Sequence, residues 1–134
     1  MSGSPLSPIF LTFDEVVEIH RTLIDRFGGS HGVRDPGLLL SALAVPRGTF
    51  GGQFLHGSLA EMAAAYLYHL ACNHPFIDGN KRVAATAARV FLVANGADFD
   101  PTEEEYGDLT LGVAAGTIDK LAAVEFFKAH VHDP

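Results

Sequence analysis

Residues 74–82 read His74-Pro75-Phe76-Ile77-Asp78-Gly79-Asn80-Lys81-Arg82, between two long stretches whose apolar residues recur with helical period. They therefore form the turn of a helix–loop–helix pair, and the rest of the chain is arranged about it. A helix that starts at Gly79-Asn80-Lys81 presents free backbone N–H groups and partial positive charge, which bind anions. Gly79 lets the backbone approach phosphate oxygens closely. Arg82, in the first turn, offers a bidentate contact to phosphate, and Lys81 a point charge. Asp78 supplies a hard oxygen ligand beside this cradle, and Mg²⁺ commonly takes one or two carboxylates and completes its shell with phosphate and water. His74, four residues earlier, is placed to take a proton from an attacking hydroxyl at neutral pH. Singly, each residue has an ordinary structural use: a hydrogen-bonding His, an Asp-Gly turn, a solvated helix start. Together at this spacing they describe a site that moves a phosphoryl-type group. Phe76 points inward to anchor the loop, and Ile77 does the same or covers a ligand.

Outward from this stretch the chain is a series of capped helices. Ser58-x-x-Glu61 is a capping box that opens a helix running to Asn73, and a helix from Asn80 to Ala94 follows the motif, with Val83, Ala84, Ala87, Val90, Phe91 and Ala94 on its apolar side. The many alanines place that second helix deep, where neighbouring backbones approach closely. Thr12-x-x-Glu15 opens an earlier helix, with Leu11 and Val16 set to staple it and Val16, Ile19, Leu23 and Phe27 on one face. Gly28-Gly29 ends it. Asp35-Pro36 is an N-cap with Pro at the first helical position, and the short helix that follows stops before Pro46. Thr102-x-x-Glu105 opens a helix to Ala115, and a last helix starts at Thr117 or Ile118 and reaches His130. Gly48 to Gly57 holds four glycines around Phe50 and Phe54, which predicts a loop or a short hairpin flap. No sustained period-2 run appears, so the fold class is all-α apart from that segment. The expected organisation is a loose tail over residues 1–8, one domain over 9–131 and a solvated tail over 132–134.

The chain has 134 residues, enough for one core, and 48% of them are hydrophobic, which argues against disorder. Nine basic against sixteen acidic residues give a formal charge of −7, which opposes a general electrostatic grip on nucleic acid. An anionic ligand must use a local cluster, here Lys81 and Arg82. Arg89 lies on the same helix face and either extends that cluster or packs against a neighbouring helix. No apolar stretch is long enough to span a membrane and no secretion signal is visible, so a cytoplasmic location is expected. The lone Cys72 is expected to be buried and inert, and Arg34-Asp35 to combine a cap with a local ion pair. Seven histidines show no HExxH spacing, and one cysteine permits no Cys/His quartet, so no structural zinc is expected.

The nine residues closely resemble the signature of the Fic/Doc (Fido) superfamily, HPF-x-[DE]-GN-G-R-x-x-R. The chain departs from that pattern at Lys81, where most Fic proteins have Gly, and at Ala85, where they have a second Arg. Both departures are similar to the Doc branch, the death-on-curing toxins of toxin–antitoxin systems. The likeness extends over about residues 9–131, through the Leu11-Thr12 helix and the Gly32-Val33-Arg34-Asp35 segment. It implies a compact Fido-type helical bundle with the flap next to the active site. It makes His74, Asp78, Asn80, Lys81 and Arg82 the catalytic group, with His74 as general base and Asp78 holding Mg²⁺. Gly79, Asn80, Lys81 and Arg82 would bind the nucleotide phosphates of ATP. Doc-type toxins transfer the γ-phosphate of ATP to a threonine of elongation factor Tu, which stops translation, whereas Fic proteins with Gly and the second Arg transfer AMP. The resemblance thus implies a protein phosphotransferase, with AMP transfer, or a catalytically silent partner-binding role, as alternatives. The flap would hold the target peptide by strand addition. No [ST]-x-x-x-E-[GN] self-inhibitory string is present, so restraint would come from a separate antitoxin.

Overall fold

The computed structural model describes residues 7–134. It contains α1 (Phe13–Phe27), α2 (Pro36–Ala44), the two-residue strands β1 (Thr49–Phe50) and β2 (Gln53–Phe54), then α3 (Leu59–Asn73) and α4 (Asn80–Ala94). There follow β3 (Asp98–Phe99), α5 (Glu103–Ala115), α6 (Lys120–His130) and β4 (Val131–His132). All but residues 7 and 8 of the expected N-terminal tail lies outside the described residues.

α3 is the central helix, packed against α2, α4, α5 and α6. Its sequence is apolar nearly all round, and Leu59, Ala60, Met62 to Leu67, Leu70 and Ala71 are buried. A helix buried on every side is what such a pattern requires. α4 lies against it through Val83, Ala84, Ala87, Ala88, Phe91 and Leu92. Ala84, Ala87 and Ala88 are fully covered, so the alanines do mark the close contact. Val90 is not on this face: it is 37% exposed, and Ala88 and Leu92 take the buried positions expected of it and of Ala94.

α1 turns its face by one residue from the expected one. Val16, His20 and Ile24 are buried at steps of four, whereas Phe27 is 56% exposed. The Thr12–Glu15 capping box closes reciprocally, as does Thr102–Glu105 on α5. Asp35 caps α2 by accepting from the Leu38 amide at 3.0 Å. The last helix starts later than Thr117 or Ile118, because Asp119 is its N-cap and accepts from the Ala122 amide at 2.9 Å. Thr117 and Ile118 instead close α5, both donating backbone N–H to the Gly112 carbonyl.

The glycine-rich segment is a hairpin, with Thr49 opposite Phe54 and Phe50 opposite Gln53. Gly51 and Gly52 both hold positive φ, 59° and 80°, the backbone that a two-residue hairpin turn needs. Phe54 tilts against Phe10, whose ring stacks on Phe91 of α4, so the hairpin root is joined to the core. β4 is an element where a solvated tail was expected. It pairs antiparallel with β3, Asp98 opposite His132 and Phe99 opposite Val131. Asp100 reinforces the pair by accepting from His132 Nε2 at 2.6 Å and His130 Nδ1 at 3.1 Å.

Candidate active site

α3 ends on His74 in the left-handed conformation (φ 48°, ψ 55°), and α4 begins after Gly79 in the same conformation (φ 77°). Two reversals of backbone hand within six residues turn the chain back on itself, and the loop between them is held from three sides. Residues 32–35 run antiparallel beside it: Ile77 donates to the Gly32 carbonyl, and Arg34 and Asp35 donate to the Pro75 carbonyl. The Arg34 side chain caps the C-terminus of α3, its Nε 2.8 Å from the His74 carbonyl and its Nη2 3.1 Å from that of Asn73. Arg34 is thus a C-cap rather than half of an ion pair. Phe76 is buried in the core, as expected. Asn80 clasps its backbone, accepting from the Phe76 amide at 2.9 Å and donating to the Phe76 carbonyl at 3.0 Å.

Asp78 is exposed, and each carboxylate oxygen has one protein partner. Oδ1 accepts from the Gly79 amide at 2.8 Å and Oδ2 from the Ser30 amide at 3.1 Å. Gly29, at φ 117°, makes room for this arrangement, since a Cβ there would lie 2.7 Å from Asp78 Oδ2. The glycine pair after α1 therefore does more than end a helix. Behind the loop lies His20, buried in α1, stacked on the Phe76 ring and bonded to the Asp78 carbonyl.

The loop opens on a cleft of about 660 Å³. His74 and all six residues from Ile77 to Arg82 line one side, with Ala85, while Glu103, Tyr106, Gly107, Thr110 and Leu111 of α5 form the other. Ile77 remains 59% exposed at the mouth instead of entering the core. The N-terminus of α4 faces this cleft without a side-chain cap, unlike the other five helices. Its first internal bond runs from the Val83 amide to the Gly79 carbonyl, which leaves the amides of Asn80, Lys81 and Arg82 outside the helical ladder. Because the Gly79 N–H serves Asp78 and the Asn80 side chain serves Phe76, an anion here meets chiefly those three amides and the two cations.

Lys81 and Arg82 are both exposed, and the Arg82 guanidinium lies 4.5 Å over the Phe27 ring. Phe27, outside the core, thus packs against Arg82. Arg89 does not extend the cation cluster: it is paired with Glu103 at 2.8 Å and lies 4.7 Å over the Tyr106 ring. Tyr106 closes the floor, its hydroxyl donating to the Ala85 carbonyl at 2.7 Å, and burial pushes its phenol well above the ordinary value. Cys72 is exposed rather than buried. Its Sγ lies 3.9 Å from the Val113 carbonyl, and desolvation raises the thiol above its ordinary value.

A lone exposed carboxylate beside an uncapped helix N-terminus fits Mg²⁺, which needs few protein ligands when phosphate oxygens and water supply the rest. The arrangement sets an imidazole, an exposed carboxylate and an uncapped helix N-terminus on one cleft wall. His20, Ser30, Phe27 and the α5 wall were not anticipated. His20 had a signal, since it stands four residues from both Val16 and Ile24 at the centre of the buried face. The others come together only through tertiary contacts.

The family model of the Fic/DOC family matches residues 10–92, and the chain belongs to that family. Among its relatives is Toxin Doc of Mycolicibacterium smegmatis, 46% identical over 97 residues, which cover 69% of this chain and 73% of that protein. Protein kinase doc of Escherichia phage P1 is 36% identical over 106 residues, 78% of this chain and 82% of its own length.

Proposed function

We propose that this protein is a Doc-type toxin that transfers the γ-phosphate of ATP to a hydroxyl group of a target protein in the cytoplasm. Elongation factor Tu is the proposed target, arrest of translation the consequence, and a separate antitoxin the restraint. The names of the two relatives given above, a toxin and a protein kinase, support this reading. The observation that carries it is that the one helix N-terminus among the described residues lacking a side-chain cap opens on the same cleft as His74 and Asp78.

In the proposed reaction His74 takes the proton from the attacking hydroxyl. The oxygen forms a bond to the γ-phosphorus as the bond to the β,γ-bridging oxygen breaks, and ADP leaves with that electron pair. The amides of Asn80, Lys81 and Arg82, with the two side-chain cations, stabilise the charge on the transferring phosphoryl group. Asp78 would hold Mg²⁺, which would supply charge neutralisation when bound. Asn80 keeps the loop in shape through Phe76. Lys81 and Ala85, both lining the cleft, give the nucleotide a different bed from one with Gly and Arg at those positions, so that the terminal phosphate meets the hydroxyl.

The test is incubation with elongation factor Tu, Mg²⁺ and ATP labelled at either the γ- or the α-phosphate. Label is expected from γ-labelled ATP alone, with a phosphoryl mass increment on the target, and His74→Ala should abolish it. Transfer from α-labelled ATP with a nucleotidyl increment would make the protein an AMP transferase instead. Growth arrest that survives both His74→Ala and Arg82→Ala would point to binding without chemistry.

A further inference from the structure

His20 is 3% exposed, in the middle of a helix that contributes nothing else so polar to the core. Its ring lies nearly parallel to that of Phe76, with centroids 4.0 Å apart and planes 9° apart. Its Nε2 is 2.8 Å from the Asp78 carbonyl oxygen. A carbonyl can only accept, so Nε2 carries the hydrogen and donates it.

The Asp78 carbonyl and the Gly79 N–H belong to one planar peptide group. The carbonyl end of that plane is held by His20, and the N–H end points to Asp78 Oδ1 at 2.8 Å. Fixing one end fixes the other. The plane cannot rotate toward the cleft without giving up the bond to His20, and if it did rotate, the carboxylate would lose the amide that orients Oδ1. Gly79 holds φ 77°, a backbone that favours glycine, and a Cβ there would crowd Ile24 Cδ1 at 3.2 Å.

We infer that His20 is a positioning residue for the Asp78 carboxylate, acting through the Asp78–Gly79 peptide plane rather than by touching any ligand. This deepens the reading of Asp78 as the Mg²⁺ ligand and rests on it. The imidazole does two things that no other side chain at this place combines: it stacks on Phe76 to seat the loop and donates one hydrogen bond to set its last peptide.

The experiment separates those two contributions. His20→Phe keeps the stacking ring and removes the donor; His20→Gln keeps a donor near the position of Nε2 and removes the ring. Amide hydrogen exchange, which needs neither activity nor nucleotide, reads the geometry directly. In His20→Phe the Gly79 amide should exchange at least about tenfold faster while the α3 amides are unchanged, and the Mg²⁺ concentration for half-maximal transfer should rise by about the same factor, as for loss of an outer-shell partner. His20→Gln should restore most of both. Wild-type exchange at Gly79 in His20→Phe would overturn the inference, as would equal loss in the two variants. Should His20→Phe fail to fold, His20→Asn replaces it, since its amide stops short of the carbonyl. A wild-type protein that transfers no phosphate would count against the phosphotransferase reading, and the exchange comparison would still decide the role of His20.

Discussion

His74 is the one non-glycine residue at positive φ among the described residues, at φ 48°. Left-handed backbone costs an L-residue roughly 1–2 kcal/mol, and glycine avoids that penalty. A histidine retained at the C-cap of α3 is therefore a local concession of stability, made at the residue whose imidazole lines the cleft. The expected outcome is that His74→Gly is more stable than His74→Ala by about 0.5–1 kcal/mol in urea denaturation, though both lose phosphate transfer. An equal or lower midpoint for His74→Gly would mean that the left-handed turn stores no strain. The motif was legible residue by residue because its chemistry depends on side chains at fixed short spacings. The roles within it were less so. The amide of Asn80 faces Phe76, and the N–H of Gly79 faces Asp78, because a short loop satisfies its own polar groups first.

Among the elements, the helices were nearly all legible, since caps and period-3.6 patterns are local signals. The misplaced boundary is instructive. Thr117 looked like a helix start, but its backbone and hydroxyl both turn back to Gly112 to close α5. Asp119 takes the cap instead. Asp119→Ala should therefore destabilise the protein by about 1 kcal/mol in denaturant titration, as loss of an N-cap does elsewhere. An Asp119→Ala variant as stable as the wild type would mean that Asp119 does not cap the last helix. The exposed N-terminus of α4 stands out against this background of capped helices, because its amides remain free for a partner that is not part of the chain.

Across the whole molecule, packing also creates titration behaviour that no local pattern shows. His69 and His56 are drawn partly out of water against α3 and the segment before it, and Lys120 lies close enough to disfavour their protonation further. Desolvation first, then Lys120 and His56, push His69 down to about 4 from 6.5, and His56 is lowered in the same sense. His56 Nδ1 and His69 Nε2 are buried without a hydrogen-bond partner. Between pH 6.5 and 4 the unfolded chain thus binds more protons than the folded one, and stability falls as pH falls through that window. Urea midpoints measured across it should decline, and His69→Phe should flatten the slope; a wild-type midpoint that holds steady on acidification would contradict this. The sequence by itself determined the helices, apart from the start of the last one, and the nine-residue motif, since each is written in spacings of a few residues; it left the glycine-rich segment as a loop or a hairpin, which the structure resolved as a hairpin. Only the tertiary structure decided which face of α1 is buried, that Phe27 carries Arg82 and that Glu103 takes Arg89. It alone brought His20 beneath Asp78, a pairing of residues 58 apart in the chain. Those outcomes depend on which helix lies beside which, and that is set by how α3 and α4 fill the core rather than by any local pattern.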